Sequence, residues 1–139
     1  MNTSSQTKKT GATMKLPPCP ASPNCVTSQD PDEAHAIRPF EYTGSPADAR
    51  RALIAALESM PRTRIVSRAT AYIRVEFRSP FFKFLDVGEF VIREQPPVID
   101  VRSASQKGYY DFGVNRKRLE DLRRRFDEKL AGQKGMDSI

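Results

Sequence analysis

The chain has 139 residues, of which 38% are hydrophobic, and a formal net charge of +6 with an isoelectric point near 9.6. Its one histidine and two cysteines exclude a metal site built from several histidines and a complete four-ligand zinc site. Because the 23 basic residues are interspersed with 17 acidic ones, the charge predicts a solvated basic surface, and nucleic acid is not an expected partner.

The amino-terminal part of the chain is polar and proline-rich. Residues 1–16 contain many Ser, Thr and Lys residues without periodicity, which predicts a disordered tail. Residues 17–36 are expected to form an arm, because proline removes amide donors and so excludes a helix or a central strand. Cys19 and Cys25 in this arm form either a local disulfide or two free thiols, depending on the redox compartment. Acidic neighbours predict a raised pKa for His35.

The first strand and the first helix are indicated by the residues that follow the arm. Residues 37–43 are predicted to form a strand, which Pro39 places at a sheet edge or at the start of a strand. Ser45 is a suitable N-cap and Pro46 occupies the favoured first helical position. Apolar residues then recur at helical spacing, so a helix is expected that ends at Met60.

Alternating apolar and polar residues predict the next strands, at residues 64–68, 71–78, 84–94 and 98–104. The short connections between them favour antiparallel neighbours, because parallel strands need long crossovers. If the turn at residues 95–97 is a hairpin, Glu89 lies opposite Arg102.

A second helix is predicted over residues 115–131, with Asn115 as its N-cap and a frayed tail over residues 132–139. Its apolar stripe consists of Leu119, Leu122, Phe126 and Leu130. Residues 37–131 are therefore expected to form a single α+β domain. Its one twisted antiparallel sheet would have four to five strands in the order β-α-β-β-β-β-α, with both helices on one face.

The first turn of the second helix carries three cations, Arg116, Lys117 and Arg118. Each costs about 0.3–1 kcal/mol there, because the helix dipole already presents positive charge. Two explanations stay open. Nearby acids could form ion pairs with these cations, and the candidates are Asp86, Glu89, Asp100 and Asp111. Alternatively, the helix amides and the arginines could hold an anion. Glu89 and Asp111 are the first expected partners, and a ligand is the second.

No catalytic constellation is recognisable, so a non-enzymatic domain without metal or cofactor is favoured. Its fixed Arg/Asp/Asn site would brace the fold or bind a small anion or an acidic partner. The candidate ligand-binding residues are Arg102, Ser103, Ser105, Asp111, Asn115, Arg116, Arg118 and Glu89. The alternatives are a hydrolase or transferase acting on an anionic substrate, with Asp111 or Glu89 as general base, and an envelope interaction protein tethered by the arm.

Three blocks of the sequence, CPASPNCVTSQ, FFKFLDVGEF and VRSASQKGYYDFGVNRKRLEDLR, resemble the domain-of-unknown-function 1499 family of bacteria and plant plastids. The resemblance covers about residues 18–126. The last block matches best, at Arg102, Ser103, Ser105, Gly108, Asp111, Gly113, Asn115, Arg116 and Arg118. In the middle block Asp86 and Val87 stand where the family often has two adjacent acids, which argues against a metal site built on an acidic pair.

The residues and the resemblance predict different cellular compartments. The chain shows no secretory signal and no apolar run of about 20 residues, so the cytoplasm is expected from the sequence. Many relatives are exported or lipid-anchored, so the resemblance implies the periplasm or the envelope. The family implies no activity.

Overall fold

A computed structural model describes residues 14–30, 32–79, 85–106, 108, 111 and 113–137. The strands are β1 (Cys25–Thr27), β2 (Phe40–Glu41), β3 (Thr63–Arg68), β4 (Tyr72–Arg78), β5 (Leu85–Ile92) and β6 (Val98–Ser105), and the helices are α1 (Pro46–Glu58) and α2 (Val114–Asp137). The sheet has the order β1-β6-β5-β4-β3, and β2 also pairs with β6. The strand pairs are antiparallel. The predicted α+β class and element order are confirmed, with β1 as an additional first strand.

Helix α1 starts as its sequence predicts, and it ends at Glu58, two residues before the predicted end at Met60. The Ser45 hydroxyl accepts a hydrogen bond from the Asp48 amide at 3.0 Å, and Pro46 follows in the first turn. Such an N-cap stabilises a helix by about 1 kcal/mol, because it satisfies an amide that has no partner within the helix. The buried face consists of Ala49, Ala52, Leu53, Ala56 and Leu57.

One face of the sheet and both helices share a single core. The sheet contributes Ile73, Val75, Phe77, Phe90, Ile92, Ile99 and Val101, and the predicted stripe of α2 is buried against them. The rings of Phe40 and Phe126 stack at a centroid distance of 5.7 Å, and Phe90 lies 6.4 Å from Phe40. These aromatic contacts add to the burial of apolar area, which is the main stabilising term of the fold.

The strand register decides which polar residues can meet. Glu89 lies opposite Arg102, as predicted, and Gly88 lies opposite Ser103. Because successive residues of a strand point to opposite faces, Ser103 faces the helices while Glu89 and Arg102 face the other side. The predicted site residues are thus divided between the two faces of the sheet.

Several predicted boundaries differ from those of the structure. Strand β2 is limited to Phe40–Glu41, directly after Pro39, which has no amide to donate. Helix α2 continues beyond residue 131 to Asp137. The side-chain amide of Gln133 donates to the backbone carbonyl of Asp48 in α1 at 3.2 Å. Residues 1–13 of the predicted tail, position 84 of the predicted fourth strand and residues 138–139 lie outside the described residues.

The N-cap prediction for Asn115 was wrong. Helix α2 begins at Val114, and the Lys117 amide donates to the carbonyl of Gly113, which precedes the helix. Gly113 has a φ of +79°, a conformation that glycine adopts without steric cost. Asn115 therefore lies inside the first turn, where its side chain points into the protein and is fully buried.

The proline-rich segment before β2 packs on the helix-free face of the sheet. Cys19 and Cys25 form a disulfide, and Cys25 is fully buried opposite Ala104 of β6. Leu16 is 6% exposed, and its amide donates to the Gln29 side chain at 2.8 Å. Val26 of β1 points to the other side and joins the core. The segment assigned to an arm thus supplies both a strand and a core residue.

Candidate functional site

A buried hydrogen-bond network forms where β6 meets the start of α2. We call it the Asn115 network, and it consists of Asp86, Ser103, Ser105, Asp111, Asn115 and Arg118. Asn115 Oδ1 accepts from the Ser103 hydroxyl at 2.6 Å, and its amide group donates to Ser105 Oγ at 3.0 Å and Asp111 Oδ2 at 2.8 Å. Ser103 and Asn115 are fully buried. The network therefore joins a strand, a loop and a helix through one side chain.

Asp111 acts as the acidic cap of α2. Its carboxylate accepts hydrogen bonds from the amides of Gly113 at 2.8 Å and Asn115 at 3.2 Å. A negative charge at this end of a helix is stabilised by the helix dipole and by amides that lack partners within the helix. Both carboxylate oxygens of Asp111 are thus engaged by the fold.

The two arginines of the first turn find partners within the protein. Arg118 Nη1 lies 2.7 Å from Asp86 Oδ2, and its guanidinium stacks 4.7 Å from the centre of the Phe77 ring. Arg116 donates instead to two backbone carbonyls, those of Ala36 at 2.7 Å and Ala34 at 3.4 Å. The ion-pair explanation therefore applies to Arg118, whereas Arg116 is held by neutral acceptors of the arm.

The two acids expected first, Glu89 and Asp111, were the wrong partners, however, although Asp86 was also among the candidates. Asp86 takes the place that was predicted for Glu89 and Asp111. Glu89 points to the opposite face of the sheet, and Asp111 caps the helix. Asp100 pairs with Arg93 at 2.7 Å, so it does not reach the first turn of α2 either.

A second cluster crosses the helix-free face, and we call it the arginine row. It consists of Tyr72, Arg74, Glu89 and Arg102, and Glu89 lies directly opposite both arginines in the sheet register. The Tyr72 hydroxyl donates to Glu89 Oε2 at 2.6 Å. Arg74 Nη1 and Arg102 Nη1 lie 3.7 Å and 3.6 Å from the Glu89 oxygens, so two cations share one carboxylate.

Arg102 is the least satisfied member of the arginine row. Its side chain is 13% exposed, and its Nε is buried without a hydrogen-bond partner among the described residues. Its Nη2 donates to the Pro18 carbonyl at 3.2 Å. Burial lowers the pKa of the Arg102 guanidinium, because desolvation disfavours the charged form.

Tyr72 remains a hydrogen-bond donor over the usual pH range. Burial, and after it the adjacent Glu89 carboxylate, raise the pKa of the Tyr72 hydroxyl.

Since one carboxylate serves two guanidinium groups, the arginine row keeps an excess positive charge in a partly desolvated position.

His35 is buried between two hydrogen-bond acceptors. Its Nε2 lies 3.0 Å from the Ser22 carbonyl and its Nδ1 lies 3.2 Å from Asp32 Oδ2. Only the protonated ring donates from both nitrogens. The bond to Ser22, and after it the bond to Asp32, raise the pKa of His35. The rise expected from its acidic neighbours is found, with a backbone carbonyl as its largest cause.

We expect the protein to lose stability relative to a His35→Gln variant as the pH rises from about 6.5 through the raised folded pKa of His35. The unfolded pKa of His35 is 6.5 and the folded pKa is higher, so the stabilisation is complete below pH 6.5. It is lost as the pH rises through the folded pKa. Urea unfolding at several pH values measures the difference, and Asp32→Asn should reduce it only in part. Parallel pH profiles for wild type and His35→Gln would contradict the prediction.

An open groove lies beside the arm, with a volume of about 530 Å³. It is lined by Lys15, Leu16, Pro17, Pro18, Thr27, Gln29, Asp30 and Arg93. None of the predicted ligand-binding residues lines it. Within the described residues, no group of three or more His, Cys, Asp or Glu side chains could hold a metal ion.

Three residues of these clusters were missed in the sequence. The Asn24 carbonyl accepts from the Ser105 amide at 3.0 Å and from the Asn115 side chain at 3.3 Å, and nothing in the sequence indicates this contact. Tyr72 and Arg74 could have been found. Their strand alternates cleanly, and the register that pairs Glu89 with Arg102 also places Arg74 on the same face.

Comparison with known proteins identifies the family. Residues 15–126 match the family described as protein of unknown function (DUF1499). The chain belongs to this family. The match includes the arm, the sheet and the first half of α2, so it contains both the Asn115 network and the arginine row. No curated protein and no solved structure matches the chain. In the described part of the chain, no helix combines the length and the apolar character that crossing a membrane requires.

Proposed function

We propose that this protein is a non-enzymatic domain that binds a small oxyanion on its arginine row, while the Asn115 network braces the fold. The observation that carries the proposal is the sharing of Glu89 by Arg74 and Arg102 at 3.7 Å and 3.6 Å. The buried Nε of Arg102 has no partner in the described part of the chain, which leaves a donor for a ligand.

The distances within the arginine row support an incomplete ion-pair arrangement. Hydrogen bonds between a guanidinium and a carboxylate usually measure about 2.7–2.9 Å, and Arg118 and Asp86 reach this length on the other face. In the arginine row the single carboxylate is drawn toward two cations and one hydroxyl. A second anion would supply the acceptor that these groups lack.

The geometry of arginine indicates the class of ligand. A guanidinium presents its N–H donors in a planar fork, which matches the oxygens of phosphate, sulfate or a carboxylate. Arg74 is 44% exposed, so an anion can reach the row from solvent. Tyr72 adds a hydroxyl that could turn from Glu89 toward a bound oxygen. The proposed ligand is therefore a small oxyanion.

The Asn115 network supports a bracing role because its polar groups already have partners. Asn115 uses both its oxygen and its amide group. A general base needs a carboxylate that is free to take a proton. Asp111 caps the helix and Glu89 accepts from Tyr72 between two arginines, so both acids considered for a hydrolase or transferase are engaged.

Phosphate is expected to stabilise the protein through this site. At a concentration of about ten times Kd, binding adds about 1.4 kcal/mol to the free energy of unfolding, which raises the melting temperature by about 5 °C. Thermal unfolding at neutral pH, compared with sodium chloride of equal ionic strength, measures this shift. Millimolar phosphate is preferred, because concentrated sulfate or phosphate stabilises folded proteins in general.

Two variants separate the site from a general salt effect. Arg74→Gln should abolish the phosphate-specific shift, since it removes one of the two cations. Arg51→Gln is the matched control, because Arg51 is 60% exposed and pairs with Asp48 on helix α1, which packs on the other face of the sheet, so it should keep the shift. An equal shift in wild type and Arg74→Gln would refute the proposed site. Stabilisation by an acidic peptide but not by phosphate would replace the oxyanion with an acidic protein partner.

A further inference from the structure

We propose that residues 14–24, held by the Cys19–Cys25 disulfide, form a lid that competes with the anion for Arg102, and that reduction by a dithiol releases it. This inference rests on the proposed function. It adds a redox-controlled regulation of the same site.

The lid occupies a donor of the arginine row. The Pro18 carbonyl accepts from Arg102 Nη2 at 3.2 Å. A neutral carbonyl is a weaker partner for a guanidinium than an oxyanion, because only the anion adds charge attraction. An anion that binds Arg102 through Nε and Nη2 would have to displace the Pro18 carbonyl. The lid and the ligand therefore compete for one donor.

The disulfide fixes the lid next to this contact. Cys19 directly follows Pro18, and its partner Cys25 lies in β1 opposite Ala104. Ala104 and Arg102 are two residues apart on β6, so they share the helix-free face. The covalent link thus keeps the Pro18 carbonyl within reach of Arg102.

Without the disulfide, few bonds would hold the part of the lid around Pro18, although Asn24 at the end of the lid is fixed by hydrogen bonds from Ser105 and Asn115. Pro17 and Pro18 have no amide donors, so this stretch cannot pair with the sheet as a regular strand. Within the lid, the Leu16 amide donates to Gln29 at 2.8 Å, and the Met14 carbonyl accepts from Arg93 at 3.4 Å. The carbonyl of Ser22, which lies within the disulfide loop, accepts a hydrogen bond from His35. The disulfide is the covalent link that complements these bonds.

The opening step is an ordinary thiol–disulfide exchange. A thiolate of the dithiol attacks the sulfur of Cys19, which is half-buried, and Cys25 leaves as a thiolate. The second thiol of the reductant then closes on the mixed disulfide and releases Cys19. Two electrons pass from the dithiol to the protein, the dithiol becomes a cyclic disulfide, and both cysteines end as thiols after protonation.

Phosphate titration by calorimetry tests the lid with the oxidised full chain, the chain reduced by dithiothreitol, and a Cys19→Ser/Cys25→Ser variant. The reduced chain and the double variant should bind phosphate about three- to tenfold more tightly than the oxidised chain, which corresponds to the loss of one competing hydrogen bond. Dithiothreitol should not change the affinity of the double variant. Leu16→Ala, which loosens the lid and keeps the disulfide, should raise the affinity in the oxidised chain.

The outcomes distinguish the two proposals. Equal phosphate affinity in all forms overturns the lid and leaves the anion site intact. Weaker binding after reduction also overturns the lid, since the arm would then be part of the site. If no form binds phosphate, the proposed function fails, and the lid fails with it. If the double variant does not fold, an unchanged affinity in Leu16→Ala still refutes the lid.

Discussion

Replacing Asn115 with alanine is expected to lower the free energy of unfolding by about 3 kcal/mol, because several buried polar groups lose their partner at once. Ser103 Oγ loses its acceptor, and Ser105 Oγ and Asp111 lose a donor. Each buried group that is left unsatisfied costs about 1–3 kcal/mol, so the total exceeds the value of a single hydrogen bond. Urea unfolding followed by circular dichroism measures the change.

Lys117→Ala is the matched control for this prediction, because Lys117 is exposed in the same helical turn. It should change the free energy of unfolding by less than about 0.5 kcal/mol. Ser103→Ala combined with Asn115→Ala should cost less than the sum of the two single variants, since both remove the same bond. A loss below about 1 kcal/mol in Asn115→Ala would show that the network does not brace the fold.

Gly88→Ala is expected to destabilise the protein by about 2–3 kcal/mol through overpacking. An added Cβ would lie 2.7 Å from Phe77 Cε2, closer than real Cβ atoms approach a neighbour, and 3.0 Å from Val75 Cγ2, which is tighter than most real contacts. Phe77 is nearly fully buried and stacks on Arg118, so it cannot move without disturbing the Asn115 network. Thermal and urea unfolding measure the loss.

A second glycine provides the control for this substitution. Gly132 lies in α2, and a Cβ at that position meets no atom within 4 Å. Gly132→Ala should therefore stabilise the protein by up to about 1 kcal/mol, because alanine favours the helix. A Phe77→Leu change should recover part of the loss in Gly88→Ala. Equal stability of wild type and Gly88→Ala would mean that the core has room beside Phe77.

The main elements of the fold could be predicted because their signals are local. The Ser45 cap and Pro46 define the start of α1, and alternating side chains define the central strands. The hairpin at residues 95–97 fixes the register that pairs Glu89 with Arg102. These features depend on residues close together in the sequence, which capping and periodicity rules describe.

The candidate site could be predicted only in part, because it depends on contacts between distant segments. The sequence grouped Glu89 with Ser103, whereas the two-residue period of strands separates them. It also could not indicate that Asn24 contacts Asn115, or that Arg116 binds the carbonyl of Ala36. The arm supplies both partners, and proline-rich segments carry no periodic signal from which their position could be predicted.

The position of β6 has a consequence for the order in which the protein is made. Strand β6 pairs with β5 on one side and with both β1 and β2 on the other, although β1 and β2 are synthesised long before it. During translation, β1 and β2 cannot pair with β6 until most of the domain, including β6 itself, has left the ribosome. Such non-local pairing slows folding. The arm and Arg102 of the arginine row can therefore join the sheet only after β6 has been made, whereas the hairpins β3–β4 and β4–β5, with the other members of the row, can form earlier.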